Sequence, residues 1–185
     1  NIDKTDSLSV TFNLLAKDEN VWDLYGTRTR VQMQKACPFE LSTFEGYCLL
    51  TSSFFSAYMT NTEHRLLQAE RDKTEDNTII LHDFFYKNYD LKIKYDPSDP
   101  LKPFVEFDDQ IIGSTAEAFG TIYGNGKLMC TQPVAYDSYY NVCQKFVFLY
   151  STIYVVGKGT VGTYVNILEW ISDEEAEQYK KEEGL

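Results

Sequence analysis

From Tyr89 to Tyr95 the chain alternates without a break: Tyr89, Leu91, Ile93 and Tyr95 take one parity, Asp90, Lys92 and Lys94 the other. Successive side chains of an extended strand point to opposite faces, so this segment buries one face and wets the other. That pattern predicts an antiparallel sheet with one solvated face. Around it stand Cys37, Cys48, Cys130 and Cys143. An even cysteine count in a small, aromatic-rich chain predicts two disulfides and a secreted protein, with three connectivities left open.

A length of 185 residues predicts a single domain over 1–185. The 43% hydrophobic and 15% aromatic content, with fourteen Tyr and twelve Phe, is enough for a sizeable interior and suits the wall of a pocket as well as an all-β core. A net charge of −11 with no basic stripe argues against nucleic acid, whose phosphates are bound by Lys and Arg. No apolar run approaches the ~20 residues of a membrane-spanning helix. The longest, 146–150 extended through 152–156, reads as a buried strand. No signal peptide opens the chain at Asn1, so a secreted protein of this sequence is expected in its mature form.

An N-terminal arm is expected over 1–18, followed by strands near 20–31, 47–60, 65–70, 78–86 and 89–95. Pro97, Pro100 and Pro103 lack the N–H that a ladder needs and predict a loop. Further strands are expected over 104–112, 117–123 and 127–135, then a Tyr-rich turn over 136–140, then strands over 141–156 and 160–171. Gly124-Asn125-Gly126 and Gly157-Lys158-Gly159 supply turns that tolerate positive φ. Ser172 followed by Glu175 forms a capping box, which predicts a helix over 173–183 within a C-terminal helix and tail spanning 172–185. Eight or nine strands joined by short turns favour an up-and-down barrel over an immunoglobulin-like sandwich, because both Trp lie outside the cysteine span. Such a barrel can hold one small ligand.

The segment Glu19-Asn20-Val21-Trp22-Asp23-Leu24-Tyr25-Gly26-Thr27, Cys48 opening a strand, Tyr136-Asp137-Ser138-Tyr139-Tyr140-Asn141-Val142-Cys143, and Leu168-Glu169-Trp170 before an acidic helix resemble tick salivary lipocalins of the histamine-binding group. The resemblance spans roughly residues 15 to 180. It implies an all-β fold, an eight-stranded antiparallel lipocalin-like barrel with a C-terminal α-helix, secreted in tick saliva to sequester a small host mediator. Two departures weaken amine binding. Gln144 follows Cys143 where the amine-binding members carry Asp, and the reversed order Leu168-Glu169 sends that carboxylate to the opposite strand face.

An amine scavenger needs buried carboxylates and aromatic faces. The candidate ligand-binding residues are Glu106, Asp108, Glu117 and Glu169 with Trp22, Tyr25, Phe107, Tyr123 and Trp170. Without inward carboxylates, a neutral lipid is the better guess. The alternative is a lipocalin that binds a host complement or immune protein through its loops for immune evasion, with Tyr136, Tyr139 and Tyr140 as anchors. A barrel filled by its own Phe and Tyr side chains would favour that alternative. Catalysis is not expected, since His64 and His82 sit in no nucleophile or metal-ligand motif. No cofactor or metal is expected either; Asp96, Asp99, Asp108 and Asp109 lack calcium-loop spacing.

Overall fold

The computed structural model describes the backbone of residues 7–12 and 29–34, and backbone with side chains over 37–59 and 62–184. The chain divides into two compact units, Asn1–Cys37 and Pro38–Leu185. In the first, β1 (Ser7–Phe12) pairs antiparallel with β2 (Thr29–Gln34), Ser7 lying opposite Gln34. Most of the strand expected over 20–31 lies outside the described residues, as do Trp22 and Tyr25.

The second unit runs β3 (Gly46–Ser52), α1 (Ser53–Tyr58), β4 (His64–Arg71), β5 (Thr78–Leu81), β6 (Leu91–Asp96), β7 (Phe104–Glu106), β8 (Gln110–Ser114), α2 (Thr115–Phe119), β9 (Lys127–Thr131), β10 (Ser138–Asn141), β11 (Phe146–Val155), β12 (Gly159–Ile171) and α3 (Asp173–Glu183). The sheet order is β10-β7-β6-β5-β4-β3-β12-β11-β9-β8, and a further β10–β11 pairing closes eight strands into a ring. The fold is an eight-stranded antiparallel, lipocalin-like barrel with a C-terminal helix. Among the described residues no helix is long and apolar enough to cross a membrane.

The wall forks along β11. Residues 146–148 pair with β10, and 152–154 pair with β9. Between them the Tyr150 amide donates to Ser138 Oγ at 3.0 Å. A matching break lies across the fork, where β7 ends at Glu106 and leaves Lys92 on β6 without a partner on that side, its ladder partner being Ile80 on β5. The Gln110 side-chain amide takes that place, accepting from Lys92 N at 2.8 Å and donating to Lys92 O at 2.8 Å. Gln132 Oε1 accepts from Phe107 N at 3.2 Å. Side-chain amides thus take the place of the missing strand at the edge of β6.

The alternation that began the sequence reading holds: Leu91, Ile93 and Tyr95 are buried and Lys92, Lys94 and Asp96 exposed. Rings fill the barrel. Phe44, on a 3-10 turn over Leu41–Phe44, stacks on Tyr95 at 4.6 Å and meets Trp170 edge-on at 5.1 Å. Phe54 stacks on Phe85 at 4.7 Å, and Phe84 sits 4.4 Å from Phe85. Asn166 is buried beside Ser52 and Ser151; its Oδ1 accepts from Ser52 Oγ at 2.6 Å and its Nδ2 donates to Ser151 Oγ at 2.9 Å and Leu149 O at 3.1 Å.

Several expected elements differ. The strand over 47–60 stops at Ser52, whose hydroxyl caps α1 by accepting from Phe54 N. The strand over 117–123 is replaced by α2, opened by a Ser114–Glu117 capping box and ended by Gly120 at φ 71°. The strand over 104–112 is two strands separated at the fork. The Tyr-rich turn over 136–140 is in large part β10, the strand that closes the ring; pairing across the sheet supplies what local sequence does not show. Two disulfides were expected and one forms: Cys37 and Cys143 are disulfide-bonded, while Cys48 and Cys130 are free and buried. Cys48 on β3 and Cys130 on β9 are separated by β12 and β11, three strand spacings of roughly 4.8 Å each. Two thiols that far apart along a sheet cannot be bridged.

Candidate functional site

At the fork an open groove of about 450 Å³ lies on the outside of the barrel. Its walls carry Lys92 and Lys94 from β6, Glu106 at the end of β7, Phe107 and Asp108 from the β7–β8 link, and Gln110 and Gln132, with Glu75 at one end. Period-2 geometry places the two lysines on one outer face, because Ile93 between them is buried. Lys94 lies directly opposite Glu106 in the β6–β7 ladder. Lys92 is tethered from the other side: its ammonium donates to Asp72, whose other oxygen accepts from the amide and hydroxyl of Thr74 at 2.7 and 2.6 Å. These hydrogen bonds, that from Lys92 first, hold the Asp72 carboxyl well below its ordinary range, and the same contact raises Lys92. The groove therefore presents charges of both signs, the Gln132 side-chain NH2 and one aromatic side chain, the Gln110 amide being taken up by Lys92 and by Asp108 O. It can hydrogen-bond a small polar ligand through donors and acceptors together.

Of the nine residues proposed for ligand binding, the fold gathers Glu106, Phe107 and Asp108 into this groove. The others are dispersed. Glu117 is held in its capping box, accepting from Ser114 Oγ at 2.6 Å. Tyr123 is half exposed at a separate cleft beside α2. Glu169 is exposed on the outer face opposite Phe146 and Leu49, while Trp170 is buried against Phe44. Adjacent positions of a strand must part in this way. Trp22 and Tyr25 lie outside the described residues.

The three tyrosines suggested as anchors separate by the same rule. Tyr140 faces inward, 4% exposed, with its hydroxyl donating to Asp96 O at 3.3 Å. Tyr139 and Tyr136 stay exposed and join a row of rings on the outer face. Tyr136 stacks on Tyr150 at 4.9 Å, Tyr150 meets Phe148 at 5.2 Å, Phe148 stacks on Tyr139 at 5.4 Å, and Tyr139 meets Phe146 at 6.1 Å. Phe146, Phe148 and Tyr150 were legible as an i, i+2, i+4 aromatic row within the apolar run; on an outer strand face such a row is itself a signal.

His82 lies between Asp90 at 3.1 Å and Glu70 at 3.3 Å, and His64 Nδ1 is 2.8 Å from Thr51 Oγ1. Among the described residues no group of three or more His, Cys, Asp or Glu could hold a metal ion. Burial pushes the Cys130 thiol up to about 12 and the Cys48 thiol higher still, so neither is a thiolate at neutral pH.

The profile of the domain of unknown function DUF4984 matches residues 24–182. The chain belongs to that family. The match takes in the whole ring of barrel strands and all but the last residue of α3, so the groove and the fork that makes it lie inside the family's domain. No curated protein and no solved structure matches the chain. Nothing among these findings links it to tick salivary lipocalins.

Proposed function

We propose that the protein is a binding module that takes a small polar ligand, neutral or zwitterionic, in the groove at the fork of the barrel wall. The observation that carries this reading is the size and mixed lining of the groove; the filled interior, where Phe44, Phe54, Phe84 and Phe85 are 0–1% exposed, leaves a lipocalin-like barrel no room for an internal ligand and serves the protein-binding reading below equally. The groove is of ligand size and carries hydrogen-bonding groups of both kinds. An oxidising compartment is part of the proposal, supported by the disulfide-bonded state of Cys37 and Cys143.

The test is a two-dimensional NMR titration of the whole chain with amino acids, monosaccharides, histamine, serotonin and a fatty acid. Saturable shifts at Lys92, Glu106, Gln110 and Gln132, weakened about tenfold or more by the double substitution Glu106→Gln and Asp108→Asn, support the groove. Saturable histamine or serotonin shifts centred on Tyr95, Leu149 and Trp170 would instead restore sequestration of a mediator inside the barrel and sink the external reading.

A second reading rests on the outer row of Tyr136, Tyr150, Phe148, Tyr139 and Phe146. Tyrosine is enriched among binding hot spots, and contiguous exposed apolar surface marks interaction sites. In that reading the module binds a protein, in the immune-evasion case a host complement component, and Tyr139→Ser weakens capture while leaving groove titrations unchanged.

A further inference from the structure

A second cavity, sharing no lining residue with the groove, opens beside the turn between β11 and β12 and has a volume of about 390 Å³. One wall is aromatic: Tyr58 ends α1, Phe119 ends α2 and Tyr123 follows in the loop. The rings meet near right angles, Tyr58 to Phe119 at 5.4 Å and 73°, Phe119 to Tyr123 at 6.2 Å and 83°. The facing wall comes from Val155 and residues 158–161, with Val161 presenting apolar surface. Ile122, Tyr123 and Val156, respectively 76%, 49% and 48% exposed, belong to the two loops that form this end of the barrel, so apolar side chains reach solvent next to the cleft.

Lys158 is the one charged residue lining the cleft. Among the described residues it meets no carboxylate, although the chain carries 28 Asp and Glu against 17 Lys and Arg. The fold also fixes where its stem lies. Gly124, at φ +55°, brings the turn after α2 so close that a Cβ there would stand 2.8 Å from Val156 O and 3.2 Å from Lys158 Cγ. A side chain at position 124 would push into the lysine stem and the β11–β12 turn, which makes glycine a requirement of this contact.

We propose that this cleft binds an amphiphilic carboxylate, its apolar body lying on Tyr58, Phe119 and Val161 and its anionic oxygen on Lys158 Nζ. A cleft that offers rings and a valine on one part and one ammonium, unpaired among the described residues, on another matches an anion carrying a hydrocarbon chain or ring. It rejects a cation by charge, and it gives a neutral alcohol the wall without the ion pair.

The experiment is calorimetric titration of the full chain with octanoate, octanol and octyltrimethylammonium, with amide shifts of residues 159–161 locating the site. Octanoate is expected to bind at one site, octanol roughly tenfold more weakly, and the cation not measurably. Lys158→Met should lower octanoate affinity about tenfold and leave octanol unchanged, Lys158→Arg should retain octanoate binding, and Phe119→Ala should weaken both. Lys158 is exposed on a turn, so its substitution leaves the melting midpoint in place and a lost affinity is not a lost fold. Equal binding of octanoate and octanol, an unchanged octanoate affinity in Lys158→Met, shifts away from residues 159–161, or no binding of octanoate overturns the proposal.

Discussion

Phe44→Ala tests the filled barrel on which the external binding reading rests. The Phe44 ring is fully buried, stacked on Tyr95 at 4.6 Å and edge-on to Trp170 at 5.1 Å and Tyr140 at 5.8 Å. Truncating a buried Phe costs roughly 3–5 kcal/mol, the transfer of the ring plus the cavity left behind. Each lost aromatic pair adds about 0.5–1.5 kcal/mol beyond area where the geometry is good. Relaxation works the other way. The turn that carries Phe44 is a single 3-10 segment with local bonds from Thr43 N to Glu40 O and Glu45 N to Ser42 O, so it can settle inward more readily than a strand. The lower half of the range is therefore expected, about 3 kcal/mol. With a urea dependence of about 2 kcal/mol per molar, the midpoint falls by roughly 1.5 M. Urea unfolding followed by far-ultraviolet circular dichroism measures this, and toluene should raise the midpoint of the variant but not of the parent, as a ligand of the new apolar cavity. A fall below about 0.5 M with an unchanged slope would mean that the ring does not fill the barrel, and the case against an internal ligand would go with it.

Asn166→Leu leaves Ser52 Oγ and Ser151 Oγ without their buried partner and should cost roughly 2–4 kcal/mol, read as a lowered urea midpoint; a neutral result would show that the two hydroxyls re-pair. Acid stability should depend on Asp72. Its folded pKa lies below the unfolded value, so the stability it contributes is present above the ordinary carboxylate range near 4 and is lost as pH falls below that range. Asp72→Asn should lower stability at pH 7 and flatten its decline between pH 4 and 2, and parallel pH curves for parent and variant would contradict the assignment. Thiol titration with an aromatic disulfide should find no reactive thiol in the native protein and two after unfolding without reductant, from Cys48 and Cys130. Four on unfolding would remove the disulfide and the argument for an oxidising compartment; none would restore the second bridge.

Local chemistry made much of the barrel legible. The 89–95 alternation needs only the period of a strand, the Pro-bearing stretch over 97–103 only the missing N–H, and α3 only Ser172 and Glu175, whose reciprocal hydrogen bonds close within one turn. The same box, Ser114 with Glu117, is present in the sequence, but the aromatic and branched residues after it read as a strand; the cap outweighs that propensity.

The candidate sites were less legible, for a reason of topology. Glu106, Phe107 and Asp108 could be named because they are contiguous, but Gln110, Gln132, Lys92 and Glu75 join them only because β7 stops three residues after it begins and the wall forks. Nothing within a strand reports where its neighbour ends. The same holds for Lys158 and Phe119, which lie 39 positions apart and share a cleft only because β9, which follows α2, pairs with β11. By itself the sequence determined strand periodicity, helix caps, turn positions and charge, which are properties of a residue and its near neighbours. Only the tertiary structure decided that four cysteines make one disulfide, that Tyr140 faces in while Tyr139 faces out, and that rings occupy the barrel interior. Those outcomes depend on pairing and packing between segments far apart in the chain, where a strand's partners, and not its own residues, set what each side chain meets.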